Sequence, residues 1–215
     1  MEPITIDEAQ AWYPNVDPVH GFDHVLRVYR TARHLAQLEN ADLEIVLAAA
    51  LLHDARGSAH GGEDATRSEH HIASAAFAGE ILQAKGWPGE KISAVQHCIR
   101  AHRFRKTEDA PQTIEAKVLF DADKLDVLGA IGAARTIAYA ALDGQPPYAE
   151  PSEKFLQTGE KLGDEPHSSY HEFLFKLCNV KNLMFTHSGK SLAETRHQYL
   201  LGFYKQLQAE VRGER

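Results

Sequence analysis

Ile45-Val-Leu-Ala-Ala-Ala-Leu-Leu-His-Asp54 is the stretch on which the fold turns. Eight apolar residues in succession, Ile45 to Leu52, leave a helix with no polar face, so other elements must surround it on every side. The run then stops at His53-Asp54. An imidazole and a carboxylate at the end of a buried helix are costly unless partnered, because an uncompensated charge away from water carries a large desolvation penalty. A divalent cation would offset that cost, since adjacent His and Asp offer one nitrogen and one or two oxygen ligands of the kind such ions accept. For an isolated His-Asp pair a hydrogen-bonded helix end is the plainer reading, so the metal reading needs further ligands from elsewhere in the chain.

Two other helices offer them. The segment Asp17-Pro-Val-His-Gly-Phe-Asp-His24 leads into a helix running to about Glu39, on which His24 shares a face with Val28, Thr31, Leu35 and Leu38 and points inward. His20 joins that face only if the helix begins early, which Gly21 disfavours. The helix from about Thr113 to Leu128 carries Phe120-Asp-Ala-Asp-Lys-Leu-Asp126. Helical spacing puts Asp123 with Leu119, Phe120, Val127 and Ala130 as the inward carboxylate, Asp121 on the opposite side, and Asp126 about 60° from Asp123, near enough to join the same pocket.

Histidines are frequent, 13 in 215 residues. After a glycine-rich polar loop over 55–64, a helix from about Ser68 to Lys85 carries His70 above Ser74, Phe77 and Ile81, and His71 above Ala75, Ala78 and Leu82; periodicity does not choose between them. The next helix, about Gly89 to His102, turns His102 inward with Ile92, Val95 and Ile99 and leaves His97 off that face. Arg103-Phe-Arg-Lys106 follows, a small cationic run able to hold an anion or to serve as a solvated helix end.

The remaining segments are also helical. Thr5-Ile-Asp-Glu8 has capping-box spacing, and an apolar helix continues through Ile131 to Leu142. Residues 145–166 form an irregular excursion, either an active-site cover or a surface loop. A helix from His167 to Met184 follows, then a turn through Thr186-His-Ser-Gly and a second capping box, Ser191-Leu-Ala-Glu194, opening the last helix to Glu210. His171, His187 and His197 read as surface or structural. With no strand pattern and no repeat, the expectation is an all-α fold, a single compact domain with a metal-binding core at about 17–135 and a C-terminal helical extension at 136–215.

Acidic residues outnumber basic ones, 30 to 23, for a formal charge of -7, which argues against duplex nucleic acid or an anionic membrane as partner. A phosphate-bearing ligand must then be held locally, by a metal or a few placed cations. The two cysteines, Cys98 and Cys178, form no framework, and the N-terminus lacks signal-peptide regions; the chain reads as cytoplasmic.

The order His24, His53-Asp54, Asp123 resembles the HD-domain superfamily of metal-dependent phosphohydrolases, named for its His-Asp doublet. The resemblance is nearest to its bacterial YedJ/YpgQ-like branch, through His20-Gly-Phe-Asp-His-Val-Leu-Arg-Val28, Asp121-Ala-Asp-Lys-Leu-Asp-Val-Leu-Gly-Ala-Ile-Gly-Ala-Ala-Arg135 and Ser188-Gly-Lys-Ser-Leu-Ala-Glu-Thr-Arg-His197. It implies an HD-domain helical bundle in which His24, His53, Asp54 and Asp123 hold one divalent ion, manganese, magnesium, nickel or iron. A metal-activated water would attack a phosphoryl group, with Asp54 orienting or deprotonating it. The substrate implied is a nucleotide or similar small phosphorylated metabolite; the resemblance leans toward nucleoside triphosphate pyrophosphohydrolysis, with a nucleoside monophosphatase the other reaction consistent with it.

The resemblance also selects His71 as the substrate-facing histidine. His102 would complete the pocket or share a second metal with His71. Lys124, Arg103 and Arg56 would neutralise phosphate, with His20 and Asp126 also facing substrate. Ala55-Arg56-Gly57 departs from members that carry an acidic base candidate just after the doublet; Glu63, Asp64 and Glu69 are the available substitutes. The histidine spacing of cyclic-dinucleotide phosphodiesterases is lacking. Two other functions are consistent with the residues: a di-iron oxygenase, with His71 and His102 as full ligands, and a non-catalytic nucleotide-binding sensor. Oligomeric state is not legible in the sequence.

Overall fold

A computed structural model describes residues 2–13, 21–57, 64–103 and 109–214, and the side chains of all of these except 64–68. The described residues are helical, with no strand among them. They form two compact units. The first comprises residues 1–123 with the returning segment Phe185–Gly189, and the second Lys124–Met184 with Lys190–Arg215.

The first unit is built around the apolar helix. Thr5 caps α1 (Ile6–Gln10) by accepting from the Glu8 amide. α2 spans Phe22–Glu39 and ends on Asn40 in the left-handed region, a conformation Asn tolerates better than most residues. α3 spans Leu43–Leu52, and Asp42 caps it by accepting from the Glu44 and Ile45 amides. Of the eight apolar residues only Leu47 is not fully buried, and α3 packs against α1, α2, α4 and α5, as a helix with no polar face requires. Leu51 and Leu52 each contribute on the order of 2 kcal/mol by burial.

α4 (Asp64–Ala84) and α5 (Gly89–Ala101) lie against each other at close range. A Cβ on Gly79 would come 2.5 Å from Nε2 of Gln96, whose amide donates to the Ala75 carbonyl at 3.0 Å. Only glycine permits that approach without displacing Gln96. α6 (Ile114–Leu125) brings Val118, Leu119 and Phe120 into the core of the first unit.

Asp121 departs from expectation. Helical spacing sets it opposite Asp123, yet its carboxylate is fully buried and accepts from the Phe185 amide (2.9 Å), the Thr186 amide (2.8 Å) and the Thr186 hydroxyl (2.7 Å). The returning segment is thus pinned to α6.

In the second unit, Arg135 pairs with the buried Asp126 at 2.6 Å, and Arg196 donates to the Leu125 carbonyl at 2.7 Å. α7 (Gly129–Leu142) is followed by a tied excursion containing α8 (Glu153–Thr158). Glu165 accepts from the Ser152 amide and hydroxyl and from the Leu162 amide. These backbone donors hold its carboxyl down at about 2.

Two expected boundaries are corrected. The helix read over His167–Met184 is broken into α9 (Ser169–Glu172), a π turn (Phe173–Leu177), α10 (Cys178–Val180) and a 3-10 turn (Lys181–Leu183). The last helix, α11, spans His187–Val211, so Ser191-Leu-Ala-Glu194 is helix interior rather than a capping box. Thr186 sits at its start and its hydroxyl accepts from the Gly189 amide at 2.9 Å. Serine followed three residues later by glutamate is equally at home inside a helix, and the pinning of Thr186 by Asp121 moves the start upstream.

Candidate metal centre

α2 contributes His24, the end of α3 contributes His53 and Asp54, and α6 contributes Asp123; all four belong to the first unit. Nε2 of His24 lies 3.4 Å from Oδ1 of Asp123 and 3.9 Å from Oδ2 of Asp54, and Nε2 of His53 lies 3.5 Å from that same Oδ2. Ligand atoms of His24, His53 and Asp123 lie within 4.8 Å of one another. Asp54, His70 and His102 form a second such group, with Oδ1 of Asp54 3.1 Å from Nε2 of His70 and 3.5 Å from Nε2 of His102. The carboxylate of Asp54 therefore turns one oxygen toward each group.

One ligand atom at this centre, Nε2 of His53, is buried without a hydrogen-bond partner, and Oδ1 of Asp54 is buried against the imidazoles of His70 and His102. Unpartnered buried polar atoms are rare because each forfeits its hydration. Nδ1 of His53 faces the Ala50 carbonyl at 2.8 Å, and since a carbonyl only accepts, Nδ1 carries the proton and Nε2 presents its lone pair. Burial pushes the His53 imidazole down to about 4, so the ring is neutral at ordinary pH. Burial opposes ionisation of Asp54, but the surrounding imidazoles outweigh it, His53 first and then His102 and His70, and its carboxyl stays well below the usual range. A neutral imidazole beside ionised carboxylates is the donor set a divalent cation of mixed nitrogen and oxygen preference accepts. The residues present fit such an ion.

The structure does not bring all the other sequence candidates to this cluster. His70, not His71, is beside Asp54; His71 is half-buried, with its Nδ1 unpartnered. α4 buries residues on both stripes, Ser74 and Phe77 below His70 and Ala75, Ala78 and Leu82 below His71, and only tertiary packing decides which ring faces α3. Arg103 donates to Nδ1 of His70 at 2.8 Å. The Arg56 guanidinium lies 3.5 Å over the Phe77 ring and donates to the Ala55 carbonyl, which engages it locally. Asp126 is committed to Arg135, and both it and the half-buried Lys124 belong to the second unit. His20 and Glu63 and the side chain of Asp64 lie outside the described residues; Glu69 is exposed. Tyr13 was not singled out by sequence, yet it is buried, donates to the Leu51 carbonyl at 2.9 Å and so secures the last turn before the doublet. No local pattern signals that contact, since its partner is a backbone atom 38 residues away.

A second polar grouping, Ser168, His171 and Glu165, has the composition of a nucleophilic triad. Ser168 and His171 have no exposed surface, so they are a structural tie and not a site.

An all-helical unit with a buried His, His-Asp, Asp cluster at the end of its central helix defines the HD class, and residues 21–128 match the HD domain family model. The chain belongs to the HD domain family. Protein YpgQ of Bacillus subtilis (strain 168) is 34% identical over 197 residues, covering 90% of this chain and 85% of YpgQ. The crystal structure of YpgQ in complex with ADP superposes with a TM-score of 0.72 at 29% identity, over 98% of this chain and all of that one. An HD-superfamily hydrolase from Bacillus thuringiensis superposes with a TM-score of 0.70 at 29% identity, over 96% of each chain. Among the described residues no single helix is long and apolar enough to cross a membrane.

Proposed function

We propose that this chain is a metal-dependent phosphohydrolase acting on a nucleotide, with release of pyrophosphate from a nucleoside triphosphate as its leading reaction. The observation that carries the reading is the unpartnered buried Nε2 of His53, a ligand atom within a cluster of neutral imidazole and carboxylate. His24, His53, Asp54 and Asp123 would hold the ion, manganese, magnesium, nickel or iron by donor type. When bound, a divalent ion supplies polarisation of a phosphoryl oxygen and a lowered pKa for water. Oδ1 of Asp54 orients the attacking water and takes its proton. Nδ1 of His102 donates to the Ile99 carbonyl, so in the neutral ring Nε2, 3.5 Å away, is the nitrogen that can receive that proton next. Arg103 is the candidate cation for phosphate within the first unit. YpgQ crystallised with ADP, which supports a nucleotide as the ligand here.

The test is elemental analysis of the purified protein beside phosphate and pyrophosphate release from a nucleotide panel with added manganese. Bound divalent ion and turnover, both lost in Asp54→Ala, are expected; bound ion with no turnover on any nucleotide would overturn the reading. The second ligand group, Asp54, His70 and His102, favours one alternative, a di-iron oxygenase, which requires two irons per chain.

A further inference from the structure

We infer that Arg103 is a positioning residue that sets the tautomer of His70 and thereby restricts this centre to one cation. The inference rests on the reading above that the His24, His53 and Asp123 group holds an ion. By donor type alone the centre offers two three-ligand groups, with Asp54 facing both. A ligating imidazole nitrogen must present a lone pair, so the position of the ring proton decides whether the second group can function.

The three imidazoles differ in what stands behind them. His53 and His102 each direct Nδ1 at the carbonyl three residues earlier, Ala50 at 2.8 Å and Ile99 at 2.5 Å. A carbonyl only accepts, so in both rings Nδ1 carries a proton, and in the neutral ring Nε2 is the bare nitrogen. His70 is the reverse case. Its Nδ1 faces Nη1 of Arg103 at 2.8 Å, and a guanidinium only donates. Nδ1 of His70 is therefore the acceptor and its proton sits on Nε2, the nitrogen turned toward Asp54 at 3.1 Å. In that state His70 presents an N–H to the carboxylate and has no lone pair for an ion, its Nδ1 being taken by Arg103. The second group is reduced to Asp54 and His102, too few protein ligands for a tight site.

Charge acts in the same direction. A second divalent cation between Asp54, His70 and His102 would lie across one imidazole ring from a permanently charged guanidinium. Arg103 thus excludes the second ion twice, by withholding a ligand and by repulsion, while the N–H of His70 favours the ionised form of Asp54. His70 is separated from Arg103 by the whole of α5, so the arrangement is tertiary.

The test uses the full chain freed of metal by chelation and then titrated with manganese. Ions per chain are counted by elemental analysis and by electron paramagnetic resonance, which distinguishes an isolated Mn(II) from a coupled pair. Imidazole nitrogen NMR of the metal-free protein reports which His70 nitrogen is protonated. We expect one ion per wild-type chain and a His70 proton on Nε2. Arg103→Met, which keeps the aliphatic stem, leaves the Nε2 proton free to shift to Nδ1 when an ion claims Nε2, and should raise the count to two coupled ions. Arg103→Lys, still a pure donor, should keep the count at one, and adding His70→Ala to Arg103→Met should return the count to one. Two tightly held ions or a His70 proton on Nδ1 in the wild type, or a single ion in Arg103→Met, would overturn the inference. Absence of any ion from the wild type would instead overturn the metal reading, and the nitrogen spectrum of the metal-free protein would still show whether His70 carries its proton on Nε2, as the inference requires.

Discussion

Replacing Asp121 by alanine should destabilise the first unit more than any change at its surface. The carboxylate is fully buried and accepts from the Phe185 amide and from the Thr186 amide and hydroxyl at 2.7 to 2.9 Å. Leaving a buried donor unsatisfied costs about 1 to 3 kcal/mol, and loss of a charged acceptor falls toward the upper part of that range. Three such losses sum to roughly 3 to 9 kcal/mol. Phe185 is half-buried, so water can reach its amide and recover part of the loss. We expect about 3 to 5 kcal/mol, which for a chain of this length lowers Tm on the order of 10 °C. Asp121→Asn should fall between, because one carbonyl oxygen remains while an NH2 is set against donors. Urea melts followed by far-UV circular dichroism give the global figure. Amide exchange gives the local one, with Phe185, Thr186 and Gly189 exchanging faster than α3. A change of less than about 0.5 kcal/mol in Asp121→Ala, the scatter of ordinary surface substitutions, would refute the reasoning.

Metal-free protein should lose stability in mild acid. His53 is held at about 4 by burial, whereas the unfolded chain takes up that proton near 6.5, so the contribution is full above 6.5 and is lost as pH falls toward 4. The difference corresponds to about 3 kcal/mol, and urea midpoints that do not move between pH 7 and 4.5 would contradict it. Gly132→Ala would put a Cβ 2.2 Å from the Val127 carbonyl oxygen, and thermal melts should show about 1 to 3 kcal/mol of destabilisation. Gly202→Ala, in α11 with nothing within 4 Å of the added carbon, should stabilise by roughly 0.5 to 1 kcal/mol in the same assay. Glu165→Gln removes the charge that the Ser152 and Leu162 amides and His171 converge on, so limited proteolysis should cut between 153 and 164 faster than in the wild type.

The central helix was legible because eight consecutive apolar residues admit no other placement, and His24 and Asp123 because each falls on an apolar stripe with a period the helix enforces. Those signals belong to single helices. His70 and His71 are adjacent on a helix that buries residues below both, so the choice between them is made by how α4 sits on α5, through contacts such as Gly79 with Gln96. Asp121 illustrates the same limit. Reckoned along α6 it points away from the ligand face, and the residues that make that direction an interior are 64 and 65 positions further on. Ser191-Leu-Ala-Glu194 shows the converse, a local spacing that fits a cap but lies four residues inside α11 because Thr186 is already fixed from outside. The π turn at Phe173–Leu177 has no counterpart in the apolar period, which runs on through it.

The return of Phe185–Gly189 to the first unit also bears on how the chain is made. A ribosome releasing residues 1–123 has delivered every ligand of the centre but not the donors for Asp121. Until residue 186 emerges, the buried carboxylate on α6 lacks these three donors, so the first unit should stay loose during synthesis of the intervening segment. Its completion is a late, long-range closure, and a polypeptide interrupted anywhere between 124 and 184 would be recognisable to proteases as unfinished, although every ligand of the centre had already been translated.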